Sequence, residues 1–171
     1  MPFTPFELEE WQSRWETTVA FNLADSGVAA VRLGELVAGE AELARLLDVD
    51  LHYPPVAGTD LLRERIAAWI GAAPENVLVT VGASEANAIV TSTLVEPGDE
   101  VVVMEPGYRQ IRGIAVNAGA DVRAFPLDSA RGWRPDLEAL EVAVSARTRL
   151  IAVTNPNNPV GTILTGPGMD A

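Results

Sequence analysis

The feature that most narrows the fold is an alternation along residues 77–153. Short, solidly apolar runs at 77–81, 101–104 and 150–153, with 122–125 as a less uniform fourth, are separated by stretches of helical periodicity. A run that is apolar at every position has both faces buried, so it belongs in a parallel sheet covered by helices. The intervening segments read as helices at 84–95, at 108–118 through Ile111, Ile114, Ala115 and Ala118, and at 135–145 through Leu137, Leu140 and Val144. Gly119 closes one of them and Pro135 opens the next, the usual placing of these residues at helix ends. Strand, helix, strand in succession predicts an α/β fold with right-handed crossovers.

Upstream the pattern is looser. Thr4 and Glu7 have the spacing of a capping box with Pro5 at the first helical position, which predicts a helix over 5–20 showing Leu8, Trp11 and Trp15 on one face. Asp25, Ser26 and Gly27 read as a turn, and 40–47 resumes a helical pattern. From Thr59 onward Leu62, Ile66, Trp69 and Ile70 mark an amphipathic helix. Residues 1–50 therefore read as an arm and a small-domain piece, and 51–171 as part of a sheet domain.

Composition excludes several classes of function. At 171 residues, 48 % hydrophobic and 21 % charged, the chain can bury one ordinary core and is not a disordered tail. With no cysteine, disulfides, thiolate metal sites and Cys nucleophiles are all impossible. Apolar runs fall far short of the ~18–20 residues a membrane span needs, and the N-terminus is acidic where a signal peptide is basic, so a soluble, cytoplasmic protein is expected. A net charge of −12 argues against a nucleic-acid partner. All 12 basic residues are arginine: a mechanism that needs a lysine amine cannot be completed within this chain.

Three segments could carry chemistry. Gly82-Ala83-Ser84 follows the 77–81 run at the start of a helix, where backbone N–H groups, small residues and a hydroxyl suit a phosphate; taken alone, such residues more often mark a plain helix cap. Neither a GxGxxG nor a GxxxxGK[ST] pattern follows that run. Glu105-Pro106-Gly107-Tyr108 ends the next strand, so that Tyr108 can lie over the same edge and stack on a flat ligand, although by itself it reads as a core or surface tyrosine. Asn155-Pro156-Asn157-Asn158-Pro159-Val160-Gly161 ends the last strand, and two prolines in one turn can hold the Asn158 amide rigidly as a donor. The single histidine, His52, reads as a solvated loop residue, and with one histidine neither a His-rich metal site nor a Ser-His-Asp triad is expected. Glu96, Asp99 and Glu100 read as a solvated loop.

In this order, Tyr53 with PPVAG and the Leu61-Leu62-Arg63 helix, VTVGASEA, MEPGY and NPNNPVG resemble the N-terminal half of a fold type I, pyridoxal-phosphate-dependent aminotransferase of class I/II, over about residues 20–165. LEEWQSRW and LADSGVAAVRLGEL are similar, more loosely, to the N-terminus of capreomycidine-synthase-like enzymes. The resemblance implies a three-layer α/β/α large domain, here incomplete, behind an N-terminal helical arm. It implies that Gly82, Ala83 and Ser84 hold the phosphate of pyridoxal 5′-phosphate, that Tyr108 stacks on its ring and that Asn158 bonds its ring hydroxyl. Tyr53 would reach the phosphate of a homodimer partner, and Gly27 would lie near the substrate carboxylate. The family's Schiff-base lysine, pyridine-binding Asp, ring-supporting Tyr and substrate-binding Arg all lie beyond the NPNNP turn, so none is placed here and no catalytic residue is assigned. Residues 162–171 resemble the run into the family's next helix.

The chain is thus expected to be a truncated piece of an enzyme that exchanges an amino group between an amino acid and a 2-oxo acid, inactive as it stands. The alternatives are a cyclase, lyase or decarboxylase on the same scaffold, or a non-catalytic α/β module that binds a phosphate-bearing ligand. A cut sheet with an open edge also predicts poor solubility.

Overall fold

A computed structural model describes residues 4–25 and 27–166. They fall into two compact units, one made of 4–8 with 81–166 and the other of 9–80.

In the first unit, strands β1 (Glu100–Glu105), β2 (Asp121–Asp128), β3 (Arg134–Pro135) and β4 (Thr148–Ala152) form a sheet in the order β3-β2-β1-β4. β1 is central and parallel to both neighbours, with Val101 opposite Val122 and Leu150, and only the short β3 runs antiparallel, against the end of β2. Alternate residues of β1 enter opposite layers, as the period of a strand requires. Val102 and Met104 pack with Phe125 and Leu127 against Ala139, Leu140 and Ala143 of helix α7 (Leu137–Ala143). Val101 and Val103 pack with Val95, Ile111 and Ala115, the last two from helix α6 (Gln110–Asn117). Helix α5 (Gly82–Leu94) leads into Val95 on that second side. This is the three-layer arrangement, and the solid run at 101–104 is buried throughout, at 6 % exposure or less. Each such side chain contributes on the order of 1.5–3 kcal/mol.

Several expectations need correction here. Residues 77–80 are extended but belong to no strand among the described residues: Val79 N–H donates to Ala57 O, and Leu78 is half exposed. Apolar composition favours extended backbone, but a ladder also needs a paired neighbouring strand, and none of the four strands among the described residues pairs with this run. Pro135 sits in β3 and does not open α7; the helix is capped by Asp136, whose carboxylate accepts from Ala139 N–H at 2.9 Å. α6 starts at Gln110 and not at Tyr108, whereas Gly119 ends it with φ +87° as expected. Glu100 is not a solvated loop residue. It opens β1 with no exposure at all, accepting from Ser145 Oγ at 2.6 Å and Arg123 at 2.9 Å and pairing with Arg147. The loop reading failed because those partners lie 23 to 47 positions further along the chain.

In the second unit lie α2 (Leu33–Leu36), α3 (Glu40–Leu47) and α4 (Asp60–Ile70), and α1 (Glu7–Trp15) begins just ahead of it. α1 is shorter than the predicted 5–20, and the capping box does not form: the first helical residue is Glu7 itself, while Thr4 N–H bonds Asn117 Oδ1. α3 has the bounds read from the pattern. α4 is closed by Gly71 at φ +71°, and Arg63 ties it to the 74–77 segment by donating to Pro74 O at 2.7 Å and Val77 O at 3.0 Å. Gly58 is at φ +96°, and a Cβ there would come within 2.5 Å of Val79 Cγ2, so this turn requires glycine. The predicted turn at 25–27 is a local one, Gly27 N–H donating to Asp25 Oδ1 at 2.7 Å; Ser26 lies outside the described residues, as do 167–171.

Candidate functional site

Parallel strands put their carboxyl ends on one edge, and β1 and β4 are such a pair. β1 runs out through Glu105-Pro106-Gly107-Tyr108, and β4 through Ala152 into the 155–161 turn. Gly107 keeps the first of these turns tight, since a Cβ would run into the Met104 carbonyl oxygen.

The two turns are fastened to each other by Asn157. Its Nδ2 donates to Pro106 O at 3.1 Å, its Oδ1 accepts from Val160 N–H at 3.1 Å, and it is buried. Asn155 closes the turn from outside, exchanging reciprocal bonds with the backbone of Leu164 at 3.0 and 3.2 Å. These two anchors leave Asn158 facing a groove of 660 Å³ that it lines together with Tyr108, Pro106, Leu127 and Phe6. Tyr108 and Asn158, singled out separately from two strand ends, thus meet in one concavity. Sequence reasoning missed Asn157, and its neighbour Asn158 offered the same letter with no local sign of which amide turns inward.

Helix α5 begins at Gly82, with φ +75° there, so Ser84 lies inside the first turn and is not its cap. No side chain caps this end by a hydrogen bond from the residue before it, although Glu85 turns back to accept from Val81 N–H. Ala83 and Ser84 are exposed. α5 is tied to the first residue of α6 by Asn87 Nδ2 donating to Gln110 Oε1 at 2.7 Å. Gly82, Ala83 and Ser84 do not themselves line the groove of Tyr108 and Asn158. Tyr53, almost fully exposed, and Gly27 belong to the 9–80 unit.

The charge around the groove is mixed. Glu105 pairs with Arg112 at 3.4 Å without a hydrogen bond to its enclosed Oε1, and Arg109, exposed, also lines the groove. Among the described residues no cluster of three or more His, Cys, Asp or Glu could hold a metal ion, and no helix is long and apolar enough to cross a membrane. What the groove offers is a phenol and an amide, and apart from it the start of α5 offers a helix N-terminus with a hydroxyl. By chemistry alone, N–H and O–H donors suit a phosphate, a phenol face suits a flat ring and an amide suits a hydroxyl oxygen.

Comparison with known proteins agrees. The family model for aminotransferase class I and II matches residues 35–169. Capreomycidine synthase of Streptomyces vinaceus is 37 % identical over 165 residues, covering 94 % of this chain and 42 % of that protein. A probable N-succinyldiaminopimelate aminotransferase of Mycobacterium tuberculosis is 41 % identical over 128 residues, covering 70 % of this chain and 32 % of its own. Among solved structures, a PLP-dependent aminotransferase of Streptococcus suis superposes with a TM-score of 0.91 at 30 % identity, over 99 % of this chain and 47 % of that one. The chain spans less than half the length of these relatives.

Proposed function

The chain belongs to the class I and II aminotransferase family, whose cofactor is pyridoxal 5′-phosphate, and from that membership we propose that residues 51–171 are the cofactor-binding part of such an enzyme, with 1–50 as its arm and small-domain piece. The observation that carries this reading is the convergence of Tyr108 and Asn158 on one groove at the carboxyl edge of parallel strands. When bound, the cofactor supplies an electron-withdrawing ring that accepts negative charge from the substrate α-carbon. The chain's own residues bind and orient. Gly82, Ala83 and Ser84 present N–H groups and a hydroxyl to the phosphate, Tyr108 covers the ring, and Asn158 donates to the ring hydroxyl. Tyr53 serves the phosphate of a second copy in a homodimer, and Gly27 lies by the substrate carboxylate.

The full-length activity on this reading is amino-group transfer between an amino acid and a 2-oxo acid in the cytoplasm. A second reading, a cyclase on the same scaffold, is favoured by one observation: the match to capreomycidine synthase extends over 94 % of this chain, against 70 % for the aminotransferase from Mycobacterium tuberculosis. Either reaction needs an amine to capture the cofactor and to move the α-proton, and this chain has no lysine.

The 171-residue chain is therefore expected to bind without turning over. Pyridoxamine 5′-phosphate, which cannot react with the N-terminal amine, is titrated against tryptophan fluorescence, and an amino acid with a 2-oxo acid is assayed separately with pyridoxal 5′-phosphate. Saturable binding is expected, weakened about tenfold or more in Ser84→Ala and Asn158→Ala, since each removes a hydrogen bond to a charged or polar ligand group. Absence of binding, or binding that both variants leave intact, refutes the site; product formation refutes the claim of incompetence.

A further inference from the structure

The five residues ahead of and entering α1 are not a loose end: residues 4–8 cluster with the sheet unit and run along α6. At the far end of α6, Asn117 exchanges two bonds with Thr4, accepting from its N–H at 2.8 Å and donating to its carbonyl at 3.2 Å. A side-chain amide here satisfies a backbone residue on both sides, as a neighbouring strand would. At the near end, just before α6 begins, the ring of Phe6 meets that of Tyr108 edge-on, with centroids 5.2 Å apart and planes at 62°. Pro5, between these two fastenings, and Glu7 line one cavity with Arg112, Gly113 and Val116. Pro5 restricts the segment before it docks and so lowers the entropy that docking costs.

We propose that Phe6 is a positioning residue for Tyr108: its edge contact fixes the tilt of the phenol ring against the pyridine ring of the cofactor, and the Thr4–Asn117 pair holds Phe6 in place. The inference rests on the reading that Tyr108 covers that ring. An aromatic ring that can swing stacks on a ligand only after it has been ordered, and a preformed edge-to-face pair removes that cost. Phe6 also lines the groove together with Asn158. It is one of the residues that sequence reasoning left unassigned.

The chain has two tyrosines, Tyr53 and Tyr108, so a tyrosine-selective ¹³C spectrum carries one ring from each unit, and Tyr108→Phe assigns them. Phe6→Ala and the milder Phe6→Leu are expected to move the Tyr108 ring signals and leave those of Tyr53 in place, and Asn117→Ala to move the same signals less. The affinity for pyridoxamine 5′-phosphate falls by up to about tenfold, the aromatic-pair contribution expressed as a ratio. The induced circular dichroism of the bound ring shrinks, whereas competition by inorganic phosphate is unchanged because the start of α5 is untouched. Phe6→Trp restores both. Tyr108 signals that ignore Phe6→Ala overturn the proposal, as do signals that move while affinity and dichroism stay constant. If the unaltered chain binds no pyridoxamine 5′-phosphate, the cofactor reading fails and takes the inference with it; binding that Phe6→Ala leaves intact removes the inference alone.

Discussion

Three asparagines within four positions divide the labour of one turn. Asn155 holds the turn to Leu164, Asn157 holds it to the Pro106 carbonyl and Asn158 faces the groove. Burial separates their consequences. Asn157→Ala removes the partner of the Pro106 carbonyl and of the Val160 N–H, both partly buried, which costs up to about 1–3 kcal/mol per unsatisfied group, and thermal or urea unfolding should show the loss. Asn158→Ala should change stability by no more than ~0.5 kcal/mol while weakening ligand binding. A variant pair that behaves the other way round would mean that the two amides have exchanged roles. The motif made the rigid turn legible and singled out Asn158, which lines the groove. It did not show the anchor, because the atom that Asn157 reaches lies 51 positions away in the chain.

At the scale of the element, β1 leads into the groove at one end and carries a buried ion cluster at the other. The Ser145 hydroxyl, followed by the charges of Arg123 and Arg147, holds the Glu100 carboxyl below its ordinary 4.5 against the opposing effect of burial. A carboxyl whose folded value is depressed contributes stability that is complete above its unfolded value and is lost as pH falls through the folded one. Urea midpoints should therefore hold from pH 7 to about 5 and fall below, and Glu100→Gln should be less stable at pH 7 and show a shallower acid slope. Parallel slopes for the two chains would exclude this cluster as a source of acid sensitivity. The same element shows why apolar runs are an incomplete guide. Residues 101–104 and 77–80 look alike on paper, but only the former lie between two parallel neighbours and beneath two helical layers.

For the whole molecule, the amphipathic stripes read from the sequence are present but bare. Trp11 and Trp15 on α1 are about half exposed, Trp69 on α4 is 88 % exposed, and Leu23, Val28, Leu51 and Tyr53 are almost fully so. β4 lies at the end of the sheet order with Ile151 and Val153 half exposed. Surface of this kind drives association. Light scattering coupled to size exclusion should show concentration-dependent assembly of the isolated chain and dye binding to apolar surface; a monodisperse monomer that binds no such dye would contradict this. Periodicity, glycine and proline placement and the order of four short motifs were enough to determine the parallel α/β class, most helix and strand positions and two of the groove's residues, because those properties depend on neighbours a few positions apart. The partner of Glu100, the anchoring role of Asn157, the failure of 77–80 to join the sheet and the meeting of Phe6 with Tyr108 were decided only in the tertiary structure. Each joins residues distant in the chain, and which distant groups meet depends on how whole elements pack.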